Sequence, residues 1–216
     1  KISHDLRHSL GAAQLVSERL ASVDDPVVRA TAPRLERALQ RAVNLAQSTL
    51  AFGKAQERPP ESELLYLSDA LDDAAEEALA GLTVPWQHDV PNDLEIEMDG
   101  EHLHRILTNL IRNAAQAIDQ SGKPGTIRAY AALEGERIDL HVVDTGPGLP
   151  KRVQDNLFMP FAGSGLTGGT GLGLAIAREL ARLNGGDIVL VSTCQSGTDF
   201  VVHLLAQKDD AADGDA

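Results

Sequence analysis

Apolar residues return every three to four positions in the first part of the chain. Leu6, Leu10, Ala13 and Leu20 share one face of a predicted helix over residues 2–21, and Val28, Ala32, Leu35, Leu39, Ala42 and Ala46 share one face of a second. Residues 22–26, ending at Pro26, read as the turn between them. Each helix of such a hairpin has only one apolar seam, so the pair is stable chiefly when a second copy completes a four-helix bundle. A homodimer is therefore expected. Residues 54–62 are charged and centred on Pro59-Pro60, which breaks the pattern as a linker does.

Beyond the linker, helical and alternating periods succeed one another. The pattern predicts a short strand at 64–67, a helix at 68–80, and strands at 84–90 and 94–98. A longer helix begins at Asp99, with Leu103, Ile106, Leu107, Leu110, Ile111, Ala114 and Ile118 on one buried face. A hairpin follows over 127–143, and Leu172, Ile176, Leu180 and Leu183 mark a last helix that Asn184-Gly185-Gly186 stops. Two closing strands end the pattern. Strands in antiparallel pairs with helices on one face make a two-layer sandwich of the α+β class. The chain thus divides into a hairpin domain (1–57), a sandwich domain (58–208) and a tail (209–216).

Composition narrows the partners. With 43% hydrophobic residues in 216, the chain can bury a core in each of two domains. A net charge of −13 disfavours nucleic acid and anionic membrane, which attract basic surfaces. Four aspartates after Lys208 make the end an acidic tail. The single cysteine, Cys194, excludes an intramolecular disulfide, fits a reducing compartment and reads as a packed strand residue. No apolar run is long enough for a membrane span, so a membrane would be met only through segments upstream of the sequence. Lys1 stands three residues before a candidate reactive histidine, His4, on a helix that would ordinarily extend upstream, so an input domain is expected before it.

The candidate chemistry begins with two glycine clusters. Asp144-Thr145-Gly146-Pro147-Gly148 closes a strand, and Gly168-Gly169-Thr170-Gly171-Leu172-Gly173 opens the last helix about two dozen residues later. Clustered glycines let backbone approach a ligand closely, and free amides at a helix start face an anion. The spacing fits neither the P-loop nor the dinucleotide fingerprint. Asn109 and Asn113, one turn apart, project side by side from the long helix and can offer oxygen to a hard cation and amino protons to phosphate. Asp144, when ionised, only accepts hydrogen bonds, which suits an exocyclic amine; read structurally, its segment is simply a good turn. Phe158-Met159-Pro160-Phe161 leads into a small, glycine-rich stretch suited to a lid. In Ser3-His4-Asp5, the imidazole is a competent nucleophile with a carboxylate beside it, although alone it reads as a surface histidine on a helix.

In order and spacing these boxes resemble the ATP-binding domain of the GHKL superfamily and, within it, the sensor histidine kinases. The resemblance runs from His4 to about Leu205. It implies that His4 accepts a phosphoryl group with Asp5 as base or orienter, that Asn109 lies against phosphate, and that Asn113 is a ligand of Mg2+. It further implies that Asp144, Gly146 and Gly148 receive adenine with support from Thr198. Ser164 of the lid and Gly169, Thr170, Gly171, Leu172 and Gly173 at the last helix would then face the phosphates of ATP. The implied activity is autophosphorylation from ATP and Mg2+, followed by transfer to an aspartate of a response-regulator receiver domain, in the cytoplasm. Three positions depart from the pattern. Gln116 stands where many relatives carry a basic residue, as in the nitrogen-regulation branch, and His8 and Ser9 replace the usual Asn or Thr followed by Pro, which lowers the phosphatase activity to be expected. Two other readings share some of the boxes: a GHKL ATPase without phosphohistidine, and a degenerate phosphotransfer or dimerisation module.

Overall fold

The structure, a computed structural model, describes residues 59–135, 137–160 and 171–205, together with positions 25, 27–29, 31–33, 35, 38 and 42. The first predicted helix, the candidate pair His4 and Asp5, the departures at His8 and Ser9, Ser164, Gly169, Thr170 and the acidic tail lie outside the described residues. Positions 27–29, 31–33, 35, 38 and 42 are helical, within the second predicted helix. Asp25 begins it: its Oδ1 accepts from the amides of Val27 at 2.7 Å and Val28 at 3.1 Å, satisfying donors that a helix start leaves free.

The sandwich domain runs β1 (Glu63–Tyr66), α1 (Leu67–Ala78), β2 (Trp86–Asp89), β3 (Glu95–Met98), α2 (Gly100–Ser121), β4 (Ile127–Glu134), β5 (Arg137–Asp144), α3 (Lys151–Gln154), α4 (Gly173–Leu183), β6 (Asp187–Cys194) and β7 (Gly197–Leu205). Among the described residues β1 pairs with β3, and the other strands form one sheet in the order β2-β4-β5-β7-β6. All its neighbours are antiparallel except β2 and β4, which pair in parallel from Trp86↔Ile127 to Asp89↔Tyr130. This corrects the expectation of antiparallel pairs throughout. A parallel pair needs a long crossover, and the 22 residues of α2 supply it by returning the chain across the sheet.

Alternation along β5 turns Ile138, Leu140, Val142 and Asp144 toward the helices. They meet the apolar stripe of α2, where Leu103, Ile106, Leu107, Leu110 and Ile111 are fully buried, and Leu67 and Leu71 of α1 and Leu180 of α4. Each such side chain contributes about 1.5–3 kcal/mol by leaving water. The other sheet face is polar: His141 lies 3.1 Å from Asp199 and stacks on Tyr130, and His203 lies 2.7 Å from Asp139.

The two helices that flank the candidate site are fastened at their far ends. Asp99 is buried at the start of α2, where its Oδ1 accepts from the amide of His102 at 3.0 Å and its Oδ2 from that of Glu61 at 2.9 Å. Asn184, at the end of α4, accepts from the Asp99 amide at 3.2 Å and places its amino group 3.0 Å from His102 Nδ1. The start of one helix is thereby tied to the end of the other.

Candidate nucleotide site

Asp144 is the last residue of β5 and, at 6% exposure, one of the few buried carboxylates of the domain. The alternation of the strand aims it inward, and its register places it between Ile127 of β4 and Thr198 of β7. Gly146 donates its amide to Oδ1 at 2.7 Å, and the hydroxyl of Thr198, its register partner on β7, donates to the carboxylate as well. Burial nevertheless pushes the Asp144 carboxyl above the ordinary aspartate range, with those hydrogen bonds opposing the shift.

Backbone crowds this end of the sheet. Gly148 has φ +73°, and a Cβ there would run into the carbonyl of Cys194; a Cβ on Gly197 would meet the carbonyl of Asp144. Only glycine lets the 144–148 loop and the β6–β7 turn approach so closely. Thr193 completes the junction by accepting from the Leu149 amide at 2.8 Å. Cys194 itself is exposed, not packed as its strand position suggested, because the strand ends there and the turn carries its side chain outward.

The second wall is α2. Asn109 donates from Nδ2 to the carbonyl of Arg105 at 2.8 Å, which turns its Oδ1 toward α4; a Cβ on Gly173 would lie 2.8 Å from that oxygen. Gly173 is thus what seats the first turn of α4 on Asn109. Gly171, at φ +71°, and the buried Leu172 lead into that turn, where the Leu172 side chain forms no cap. Asn113, one turn farther along α2, is half-buried, and its amide has no hydrogen-bond partner among the described residues. A Cβ on Gly146 would approach Ala117 at 3.7 Å and Ile118 at 3.5 Å, so the Asp144 loop rests on the same helix.

The structure therefore brings Asn109, Asn113, Asp144, Gly146, Gly148, Thr198 and the start of α4 around one end of the sandwich. A shallow groove lined by Ile96, Met98, Asn184, His203 and Leu205 lies at the other end of the sheet and takes no part. Residues 98–208 match the family model of histidine kinase-, DNA gyrase B- and HSP90-like ATPases. The chain belongs to this ATPase family.

The relatives of this ATPase domain are sensor kinases. The chain is 33% identical over 226 residues to the sensory histidine kinase/phosphatase NtrB of Salmonella typhimurium, covering 96% of itself and 61% of that protein. It is 32% identical to the sensor protein KdpD of Escherichia coli, covering 95% of itself and 24% of KdpD. It therefore spans less than two thirds of the length of these relatives. Full-length ShkA in complex with AMPPNP shares the fold with a TM-score of 0.69 at 24% identity, over 95% of this chain and 45% of that one. The Acinetobacter baumannii histidine kinase AdeS superposes with a TM-score of 0.63 at 20% identity, over 93% and 98%.

One cluster of this ATPase domain escaped the sequence reading. Arg178 of α4 makes a two-pronged ion pair with Asp187, Nε to Oδ1 at 2.7 Å and Nη2 to Oδ2 at 3.0 Å, and Arg182 reaches the same carboxylate at 3.2 and 3.3 Å. The arginines hold the Asp187 carboxyl far below the usual range. The signal was present as two arginines one helical turn apart with an aspartate after the helix stop.

Proposed function

We propose that the chain is the catalytic core of a sensor histidine kinase that transfers the γ-phosphoryl group of ATP to His4 and then to an aspartate of a response-regulator receiver domain. The observation that carries the nucleotide half of this reading is the buried Asp144, at a strand end crowded by Gly148 and Gly197 and facing the helix of Asn109 and Asn113. A buried carboxylate that accepts from the Gly146 and Thr198 amides and the Thr198 hydroxyl still has acceptor capacity for an exocyclic amine, which fits adenine. Asn109 and the first amides of α4 lie where phosphate oxygens find donors.

The donors also suit a divalent cation. Among the described residues no group of three or more His, Cys, Asp or Glu could hold a metal alone, whereas Asn113 offers one neutral oxygen. A magnesium ion would be held by Asn113 and by the phosphates themselves, as this hard, reluctantly dehydrating ion prefers. When bound, it supplies neutralisation of the charge that develops on the phosphates.

In the reaction a ring nitrogen of His4 attacks the γ-phosphorus. The nitrogen–phosphorus bond forms as the bond from phosphorus to the β–γ bridging oxygen breaks, ADP leaves with the electron pair, and the imidazole proton passes to Asp5. Asp144 and Thr198 fix the base end of the substrate, and Asn109 and the α4 amides orient the other end, so positioning supplies most of the acceleration. The hairpin over residues 1–57 acts as the dimer module. Among the described residues no helix is long and apolar enough to cross a membrane.

The test is incubation of the chain with ATP labelled at the γ or the α position. Label that enters the protein only from the γ position, and that is lost in mild acid but kept in base, supports a phosphohistidine. ATP hydrolysis with no protein-bound label would favour an ATPase without this chemistry.

A further inference from the structure

The Arg178 guanidinium lies over the ring of Phe158, its Cζ 4.4 Å from the ring centroid. Its edge is occupied by the two prongs to Asp187, and Asp187 is fixed in turn by Arg182 and by the Ile188 amide at 2.8 Å. With the edge locked, the flat cationic face is presented to Phe158 in one orientation. A planar fork can do this and a lysine ammonium cannot.

The position of this contact gives it a consequence for the nucleotide site. Phe158 belongs to the chain that leaves the Asp144 loop through α3, and Arg178 is five residues into α4, about 7.5 Å along the axis from Gly173. Gly173 seats the same helix on Asn109. The chain leading away from the base end of the site is thus fastened to the helix whose first turn forms the phosphate end.

We infer that Arg178, locked by Asp187, is a positioning residue that holds Phe158 against α4 and so sets the phosphate half of the nucleotide site, leaving the Asp144 half independent. The inference rests on the nucleotide reading of the site. An ordinary surface ion pair would add stability without distinguishing one end of a nucleotide from the other.

The experiment measures ATP and AMP affinities of the full chain by competition with a fluorescent ATP analogue, for wild type, Phe158→Leu, Phe158→Tyr, Arg178→Gln and the double variant Phe158→Leu/Arg178→Gln. Phe158→Leu and Arg178→Gln are each expected to weaken ATP at least fivefold and AMP less than twofold, and the double variant no more than the worse single. Phe158→Tyr keeps the aromatic face and is expected within twofold of wild type for both nucleotides. Unchanged ATP affinity in both single variants, or an equal loss for ATP and AMP with a lower unfolding temperature, overturns the inference. If Arg178→Gln fails to fold, the Phe158→Leu and Phe158→Tyr pair decides alone, because both leave the ion pairs intact. A wild-type chain that binds neither nucleotide overturns the nucleotide reading and this inference together, whereas tight wild-type binding unmoved by the variants overturns only the inference.

Discussion

Asp144 and Thr198 face each other across β5 and β7, both buried, with the threonine hydroxyl donating to the aspartate carboxylate. Burial raises the carboxyl while this bond and the Gly146 amide hold it down. The balance leaves an acceptor that is aimed and dry. Asp144→Asn is expected to weaken ATP binding tenfold or more, because an amide presents a donor where adenine also donates, and a buried mismatch costs about 1–3 kcal/mol. Titration calorimetry reads it. The raised carboxyl also fixes a sign: its contribution to stability is present below the ordinary aspartate value of about 3.9 and is lost as pH rises through the raised value. Asp144→Asn should therefore match or exceed wild type in unfolding temperature at pH 7 and lose that advantage in acid.

Asp187 behaves in the opposite sense. Its carboxyl is held low by Arg178 first and by Arg182 and the Ile188 amide after it, against some desolvation. A depressed carboxyl stabilises the fold above the unfolded value and loses that contribution as pH falls through the folded one. Wild type should unfold at a higher temperature than Asp187→Asn at pH 7, and the gap should narrow steadily below about pH 4. A gap that does not change with pH would show that the ion pairs add nothing.

Gly148 and Gly122 offer a controlled comparison. Both have positive φ, but a Cβ on Gly148 meets the Cys194 carbonyl, whereas one on Gly122 meets nothing within 4 Å. Gly122→Ala should cost about 1–2 kcal/mol, the backbone penalty alone. Gly148→Ala should cost more, since the overlap is with backbone, and should also reduce ATP affinity by displacing the 144–148 loop. Chemical denaturation of both variants measures the difference.

Much of the fold was legible because its periods are clean. The apolar stripe of α2, the alternation of β5 and the glycine stops each fixed an element to within a few residues, and the glycines beside Asp144 pointed to the crowded backbone of the candidate site. What escaped depends on contacts between distant segments. The parallel β2–β4 pair follows from the path of α2, the exposure of Cys194 from a turn, and the Phe158–Arg178–Asp187 stack from three segments whose proximity no local pattern encodes.

The assembly prediction comes from the amino-terminal periodicity. Residues 1–57 alone should sediment as a dimer and residues 61–216 as a monomer, because the periodicity predicts over 1–57 a hairpin whose apolar seams need a partner. A folded, monomeric hairpin would contradict the four-helix bundle.

Transfer of the γ-phosphoryl group to His4 can be read directly. Wild type and His4→Gln should be incubated side by side with magnesium and γ-labelled ATP, with ATP binding titrated in parallel and the labelled residue mapped by peptide mass spectrometry under basic conditions. Acid-labile phosphate is expected on His4 in wild type, none in His4→Gln, and near-equal ATP affinity in the two. Full labelling of His4→Gln, or phosphate mapped to another residue in wild type, would contradict this expectation.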